Sequence, residues 1–575
     1  MTGLRLREEF YYTRTARGVY ALTHRGPLVL TGSSVFALLD KVAPYLDGTH
    51  TEEELTASLS AEKATSVRAL LGVLRNQGAL LTGQVPDHAG FAGEIRMIGE
   101  FRPAAEQVFR QYRDRTVGVL GDGPLEEFVR AAHRSGSRKV VVADRDADIV
   151  YQLSDVDRAG RWSPPPGAHH TPVVLTAKEA WVGAGSGRRL AGWGQPGPAA
   201  HLAGPRARLL AGRVVHHTFR AITGIENNPG RVLRLDLDTW NGRSVPLLPH
   251  PFDAPCAADS REEFAERIAA LSSGPEVTEE EFDRSVTRCI DDGAGLFGPP
   301  ADRGVQLPLH VTEMRVADPR GPVTVTGTGL SNAEARRAAA MTAFAVYGSL
   351  MVDARRLVRP DGSPPDLPGD PDEALAAARG SDLAAWGIDL ASGAGVTAAV
   401  DTAFPAVPPE GASAGYTWRQ AIERGLVARC RSLVLGTITA PPEPFLPVGA
   451  DRERKLLARL AAVGEPVRLE DVTGWPGVPT FQCVLGERVS GCASALSADE
   501  ARVAALHAAL RAYQGIAPPP SGRLRGTGEA RDTTVEEVVD RLAGAGLSAV
   551  AVPLDHDPEA SKVMPYVANV VLNHG

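Results

Sequence analysis

Three times in this chain a turn of small residues runs directly into an alanine-rich helical segment: TGTGLSNAEARRAAAMTAFAVYG (326–348), GASAGYTWRQAIERGLVARC (411–430) and SGCASALSADEARVAALHAALRAYQ (490–514). Strand-like runs lie between and around them, among them SLVLGTITA, PTFQCVLG and SAVAVPL. A repeated strand–turn–helix unit restricts this part of the chain to a large α/β domain with internal pseudo-symmetry, because each unit buries its apolar face only against its neighbours. The first repeat also limits the chemistry. Ser331 or Asn332 can cap its helix and Glu334 falls in the first turn, yet from Ala335 to Tyr347 there is no acidic residue. Such a helix has no carboxylate with which to hold a metal.

The repeats belong to a segment running from about residue 213 to the end of a 575-residue chain, a length that predicts several domains. Hydrophobic content of 43% and charged content of 23% match a soluble protein with real cores. A net charge of −8 offers no global attraction to nucleic acid or anionic lipid. The five cysteines (Cys256, Cys289, Cys430, Cys483, Cys492) contain no CxxC pair, which argues against a zinc tetrathiolate or a disulfide framework. No basic-plus-apolar leader begins at Met1 and no apolar run is long enough to span a bilayer, so the expected location is cytoplasmic.

The first 84 residues read as one unit. REEFYYTR, GVYALTHRG and PLVLTG are strand-like, and SSVFALLDKVAPYLDG, THTEEELTASL and ATSVRALLGVLRNQGALL are helical, the last with Val67, Leu70, Leu71 and Leu74 on one face. Three strands followed by three helices is a winged helix-turn-helix plan. DNA binding through the third helix would need more than Arg68 and Arg75, and Glu52, Glu53 and Glu54 lie in the same unit. The other use of such a unit is peptide capture, with an extended segment adding to the edge strand at Leu28, Val29 and Leu30 and packing on the third helix. VYALTHRGPLVLTGSSVFALLDKVAPYLDGTHTEEEL and LLGVLRNQGALL resemble the PqqD-like leader-peptide recognition element of enzymes that modify ribosomal peptides.

A second unit, 85–205, opens with TVGVLGDGPLEEFVRAAHRSG and RKVVVADRDAD, a strand–turn–helix–strand order typical of nucleotide-binding folds. Gly118, Gly121 and Gly123 form its turn, and Asp144 and Asp146 end the next strand. Together these resemble a ThiF-like domain, in a degenerate form. IVYQLSDVDRAG replaces the family's Asn/Arg-rich phosphate grip, and its zinc-binding cysteines are missing. The glycines then serve as a scaffold relic. GWGQPGPAAHLAGPRARLLAG reads as the linker that closes the unit.

In residues 206–575, TGIENNPGRVLRLDL, the three repeats, DVTGWPGVPTFQCVLG before the last of them, and EEVVDRLAGAGLSAVAVPL resemble a YcaO domain end to end. The resemblance implies an enzyme that uses ATP to activate a backbone amide, making azolines from Cys, Ser or Thr, or thioamides. It also implies a lysine in the first turn and glutamate pairs on the helices that hold magnesium on the ATP phosphates. Carried onto this chain, the lysine falls on Thr328. The first helix's glutamates fall on Thr342 and Ala345, the second's near Ala428 and Arg431, and the third's acid near His507 or Ala508, while Gln514 keeps a polar residue near the helix end. MPYVANVVLNHG replaces a proline-rich carboxyl end.

The expectation is therefore a multidomain α/β protein of three parts: 1–84 PqqD-like, 85–205 degenerate ThiF-like and 206–575 YcaO-like without ATP and magnesium ligands. It would bind a precursor peptide's leader and present the core to a separate YcaO subunit that carries ATP and magnesium. Catalysis would not reside in this chain, which would bind no cofactor and no metal and would assemble as a homodimer or a heteromer. The alternative is an active ATP-dependent YcaO cyclodehydratase or thioamide-forming enzyme that recruits Glu313, Glu423, Asp499 and Glu500. A third reading, a winged-helix regulator, needs a basic face that the sequence does not show. The pairs His169-His170 and His216-His217 do not form a ligand set. Asp291-Asp292 reads as a solvated turn before Gly293, and Cys430, Cys483 and Cys492 as small buried hydrophobes.

Overall fold

The computed structural model describes residues 3–574 except 8–9, 24–25, 83–89, 103, 122, 156–166, 184–187, 192, 194–201, 227–229, 319–320, 369, 406, 436–448, 521–523, 525 and 527–528. The chain divides into two compact units, one built from the residues up to about 229 and one from Gly230 onward together with 184–198.

The first unit begins with β1 (Leu4–Leu6), then an antiparallel meander of β2 (Tyr11–Thr15), β3 (Gly18–Thr23) and β4 (Gly26–Thr31). Helices α1 (Val35–Val42), α2 (Glu52–Ala57) and α3 (Ala61–Asn76) follow, and β5 (Leu80–Thr82) returns to pair with β1. Thr51 and Glu54 form a reciprocal capping box at the start of α2, as the Thr-then-acids pattern anticipates. Val19 and Ala21 of β3 meet Leu39 of α1 and Val67, Leu70, Leu71 and Leu74 of α3 in a single core. Leu71 is fully buried. Leu71→Ala is therefore expected to cost about 3 kcal/mol of this unit's stability, read as a lower denaturant midpoint with unchanged slope.

Five more strands of this unit lie in the order Glu179–Val182, His169–Leu175, Ile149–Asp155, Thr116–Gly121, Lys139–Val142, antiparallel in the first pairing and parallel in the rest. Helix Leu125–Arg134 connects the two strands at one end, and helix Gly204–Ile222 packs on it. The sequence places a linker and a boundary at 205, but PRARLLAG is the first half of that helix, whose Leu210, Ala211, Val214 and Phe219 are buried within the first unit. The rest of the linker, apart from Trp193, Leu202 and Ala203, and the boundary at 84–85 lie outside the described residues or at their margin.

In the second unit each repeat helix rests on its own antiparallel sheet. Asn332–Leu350 packs on His310–Val316 and Val323–Gly329, and Ala498–Tyr513 on Thr480–Leu485 and Arg488–Ser494. Trp418–Leu435 packs on a five-stranded sheet in the order Gly395–Ala399, Ala384–Asp389, Leu547–Pro553, Val567–His574, Ala412–Ala414. The alanines and turn glycines have one cause. A Cβ on Gly327 would lie 2.1 Å from the Ala339 nitrogen, and one on Gly491 2.3 Å from the Ala509 nitrogen. Strand and helix backbones touch, and only small side chains let them. SLVL, expected as strand, is the last turn of the second repeat helix, since its alanine-and-arginine run continues without a break to Leu435; GTITA after it lies outside the described residues. The C-terminal segment is an inner strand of the five-stranded sheet.

Candidate functional site

The ends of the first strand–helix turn and the third repeat helix converge in the second unit. Thr328, at the end of its strand, and His507, on the third repeat helix, are both buried, with Thr328 Oγ1 3.4 Å from His507 Nε2. His507 Nδ1 is buried without a hydrogen-bond partner among the described residues. Burial pushes the His507 pKa well below 6.5, and the positive charges of Arg511 and Arg452 push it further the same way. Arg452 sits on the helix Ala450–Ala461 and is 8% exposed. Its Nη1 donates to Glu334 Oε2 at 2.9 Å, while Nε and Nη2 are buried without a partner among the described residues.

Glu334 in turn closes the start of the first repeat helix. Its Oε2 accepts from the Leu330 N–H at 2.9 Å, and its own N–H donates to Ser331 Oγ at 3.3 Å. A helix N-terminus is a natural seat for phosphate, and here the chain's own carboxylate, locked by Arg452, takes that place. Gln514 is also committed to structure: its Oε1 accepts from Leu309 N–H (2.9 Å) and its Nε2 donates to Leu309 O (3.0 Å).

The remaining carried-over positions offer no metal-binding oxygen. Thr342 Oγ1 donates to Ala338 O of its own helix at 2.9 Å. Ala345 is buried, Ala428 is half-buried, and Arg431 places a cation in the interior at 6% exposure. The structure thus brings Thr328 and His507 together, in a setting of buried arginines. Magnesium on a polyphosphate requires anionic oxygens on the protein side; of the side chains gathered here only Glu334 carries one, and it is paired with Arg452, so this set does not fit the ion. Of the acids in the alternative reading, Glu313 pairs with Arg303, Asp499 with Arg502 and Glu423 with Arg419. Burial and the charge of Glu423 raise the Glu500 pKa, so these two lie in electrostatic reach of each other. Among the described residues no three His, Cys, Asp or Glu side chains gather as a metal-ligand set.

Buried neutral histidines have a measurable consequence. His556 behaves like His507: burial first, then Arg356, holds its pKa well below 6.5. The unfolded chain binds these protons and the folded chain does not. Stability is present above pH 6.5 and falls as pH drops below it, by up to ~1.4 kcal/mol per pH unit for each histidine. Denaturant titrations at pH 7.5, 6.5 and 5.5 check this, and His507→Gln should flatten the slope.

In the first unit, Leu28 and Leu30 are half-buried and Val29 is 60% exposed on β4. The helix face expected to meet a peptide is already occupied: Val67, Leu70, Leu71 and Leu74 are all less than a tenth exposed and pack against β3 and α1. An apolar stripe at helical spacing marks the core side of a helix, and these four residues are core.

The glycine turn at 118–123 is likewise filled from within. A Cβ on Gly121, whose φ is +100°, would stand 1.7 Å from Leu153 O of the neighbouring strand. Asp144 caps the N–H of Asp146 in an exposed turn. The segment 156–160 of IVYQLSDVDRAG is outside the described residues. A cleft of about 680 Å³ does exist in this unit, lined by Met97, Leu209, Val215 and Phe219 with Arg134 and His216 beside them. It lies among the helices rather than at strand ends, where such folds take nucleotides.

His170 Nε2 is bonded to Gln152 Oε1 at 2.8 Å. The Asp291-Asp292 turn is present but only half solvated: Asp292 is 44% exposed and pairs with Arg234 and Arg243, whereas the Asp291 side chain is 12% exposed and accepts from the Gly293 and Ala294 N–H groups. Cys430 and Cys483 are buried, with thiol pKa values pushed up to about 12 by that burial. Nothing in DRERKLLARL, which reads as an ordinary amphipathic helix, marks Arg452 as an interior cation.

No family model and no curated relative matches the chain. Solved structures do. A heterocyclase in complex with substrate and cofactor aligns over 100% of this chain and 94% of its own, with a TM-score of 0.65 and 14% identity. The heterocyclase TruD aligns over 100% and 94%, with a TM-score of 0.58 and 14% identity. E. coli MccB with AMPCPP and MccA aligns over 44% of this chain at a TM-score of 0.33 and 10% identity, too distant to bear on the fold. The chain has the heterocyclase fold across its whole length. No described helix is long and apolar enough to cross a membrane.

Proposed function

We propose that this chain is a leader-binding partner subunit in the cytoplasmic biosynthesis of heterocyclised ribosomal peptides. The first 84 residues serve as a PqqD-like recognition element, the next part as a degenerate ThiF-like scaffold, and the remainder as a YcaO-like domain without its ATP and magnesium ligands. A separate YcaO subunit, holding ATP and magnesium, closes the azoline rings. The observation that supports this most is the ion pair between buried Arg452 and half-buried Glu334 near His507, together with the lack of any carboxylate at Thr328, Thr342, Ala345, Ala428 and Arg431, where an ATP-using member of this fold would need its lysine and acids. Tethering the leader raises the local concentration of the core peptide at the catalytic subunit, so modest leader affinity suffices.

The capture site in this reading is the β4 edge with Leu28 and Leu30 on its inner side. Val67, Leu70, Leu71 and Leu74 support it from the core without direct contact. A second reading, catalysis by this chain, draws on the proximity of Glu423 and Glu500. Reconstitution separates the two. A YcaO cyclodehydratase is assayed on its precursor peptide with and without this chain, and with a leader-deleted precursor. The reading expects ring formation only with this chain, the catalytic subunit and an intact leader together. Ring formation by this chain and ATP alone would favour the second reading.

A further inference from the structure

The β4 edge carries a register of its own. Among the described residues β4 pairs only with β3, through Gly18↔Thr31, Val19↔Leu30, Tyr20↔Val29, Ala21↔Leu28 and Leu22↔Pro27. The Gly32 N–H donates to Arg17 O at 2.8 Å, so residues 17 and 32 form a hydrogen-bonded pair. Antiparallel alternation then turns the main-chain groups of Leu30 and Leu28 toward β3, and those of Pro27, Val29 and Thr31 toward the open edge. Val29 and Thr31 each present an N–H and a C=O there. Pro27 presents only a C=O, which is where proline is tolerated in a strand.

The two faces of the edge also differ. Leu28 and Leu30 lean on the core, whereas Val29 stands on the outer face beside Tyr20 and near Leu22 and Tyr11, which are 38%, 47% and 69% exposed. A second copy of the chain is a poor occupant. In a symmetric antiparallel pairing centred on Val29, Thr31 of each copy would face Pro27 of the other and lose a bond at both ends. A single extended peptide can end its ladder before Pro27.

Resting on the peptide-capture reading above, we infer that Val29 is the pivot of recognition. The captured segment pairs its main chain with Val29 and Thr31, stops at Pro27, and carries apolar side chains at three consecutive positions. The middle one lies on the outer face beside Val29 and Tyr20. Its two neighbours turn inward beside Leu28 and Leu30.

The test uses the full chain and a displayed library of random linear peptides, with enriched peptides remade and titrated by fluorescence anisotropy. Enriched sequences are expected to share the apolar triplet. Val29→Pro, which removes an outward N–H and the valine side chain beside it, should weaken binding about tenfold, and Pro27→Val, which adds a donor, should tighten it several-fold. Melting curves of the exposed-edge variants should match the parent, and Pro27→Val remains decisive if Val29→Pro does not fold. Enriched peptides that bind both variants as they bind the parent would overturn the register while leaving capture intact. Failure to enrich any peptide would overturn capture and the register with it. A dimer that Val29→Pro converts to monomer would give the edge to a second copy and overturn the inference as well.

Discussion

Asp557→Ala is expected to remove about 3–5 kcal/mol of unfolding free energy from the C-terminal unit, enough to leave much of the protein insoluble. Asp557 Oδ2 accepts from Arg189 Nη1 at 2.7 Å and from the Tyr347 hydroxyl at 2.5 Å, and Arg189 also donates to Tyr347 and to the carbonyls of Leu248 and Pro249. Arg189 and Asp557 are 6% and 3% exposed, and Tyr347 is 5%. Removing the carboxylate strands a guanidinium that water cannot reach, and the loss is the uncompensated charge rather than one bond. Tyr347→Phe leaves the ion pair and should cost only about 1 kcal/mol. Arg189→Met with Asp557→Leu should recover most of the deficit, because no charge is then left unpaired. Urea unfolding of the four proteins distinguishes this pattern from one of independent contacts.

The neighbouring Asp555 extends the same lock. Burial raises its pKa, but Arg356 and Arg267 outweigh that and bring it down to about 2, so its contribution is complete above the ordinary carboxylate range and is lost as pH falls toward 2.

Gly327→Val should be as damaging by a different route. The new Cβ would meet the Ala339 nitrogen at 2.1 Å and the Ala335 oxygen at 2.2 Å, all backbone atoms of a buried helix that cannot turn aside. Forcing strand and helix apart opens the first repeat's interface along its length, and a loss of about 3 kcal/mol or more is expected. Gly304→Ala is the matched control: a Cβ there meets nothing within 4 Å, and its melting temperature should stay at the parental value. Soluble yield and thermal melts of the two proteins decide the point.

These two sites show what the sequence carried and what it did not. The repeat was legible because backbone close-packing forces small residues at fixed places, so TGTG before an alanine run announces its structure. Helix starts were legible for the same local reason, as with the Thr51–Glu54 box. The end of the second repeat helix was not, because SLVL suits strand as well as helix and only its continuity with the preceding turns decides. Helix Gly204–Ile222 was missed because proline and glycine at its start read as a linker, although proline is favoured in a first turn. At the candidate site, the absence of acids could be read directly. That Arg452 is drawn into the interior beside Glu334 could not, since Arg452, Glu334 and His507 are brought together by tertiary packing from three distant segments. The apolar face of α3 was visible, but periodicity does not say whether such a face is spent on the core or kept for a partner, and here it is spent.

The central proposal is that the heterocyclase fold persists in this chain without nucleotide chemistry. Isothermal calorimetry of the purified full chain with ATP and magnesium, followed by phosphate release from the same sample, addresses it most directly. The account predicts no saturable heat and no phosphate above the buffer blank, with or without added peptide. Magnesium-dependent binding accompanied by turnover would contradict it, and would mean that this chain activates the amide itself.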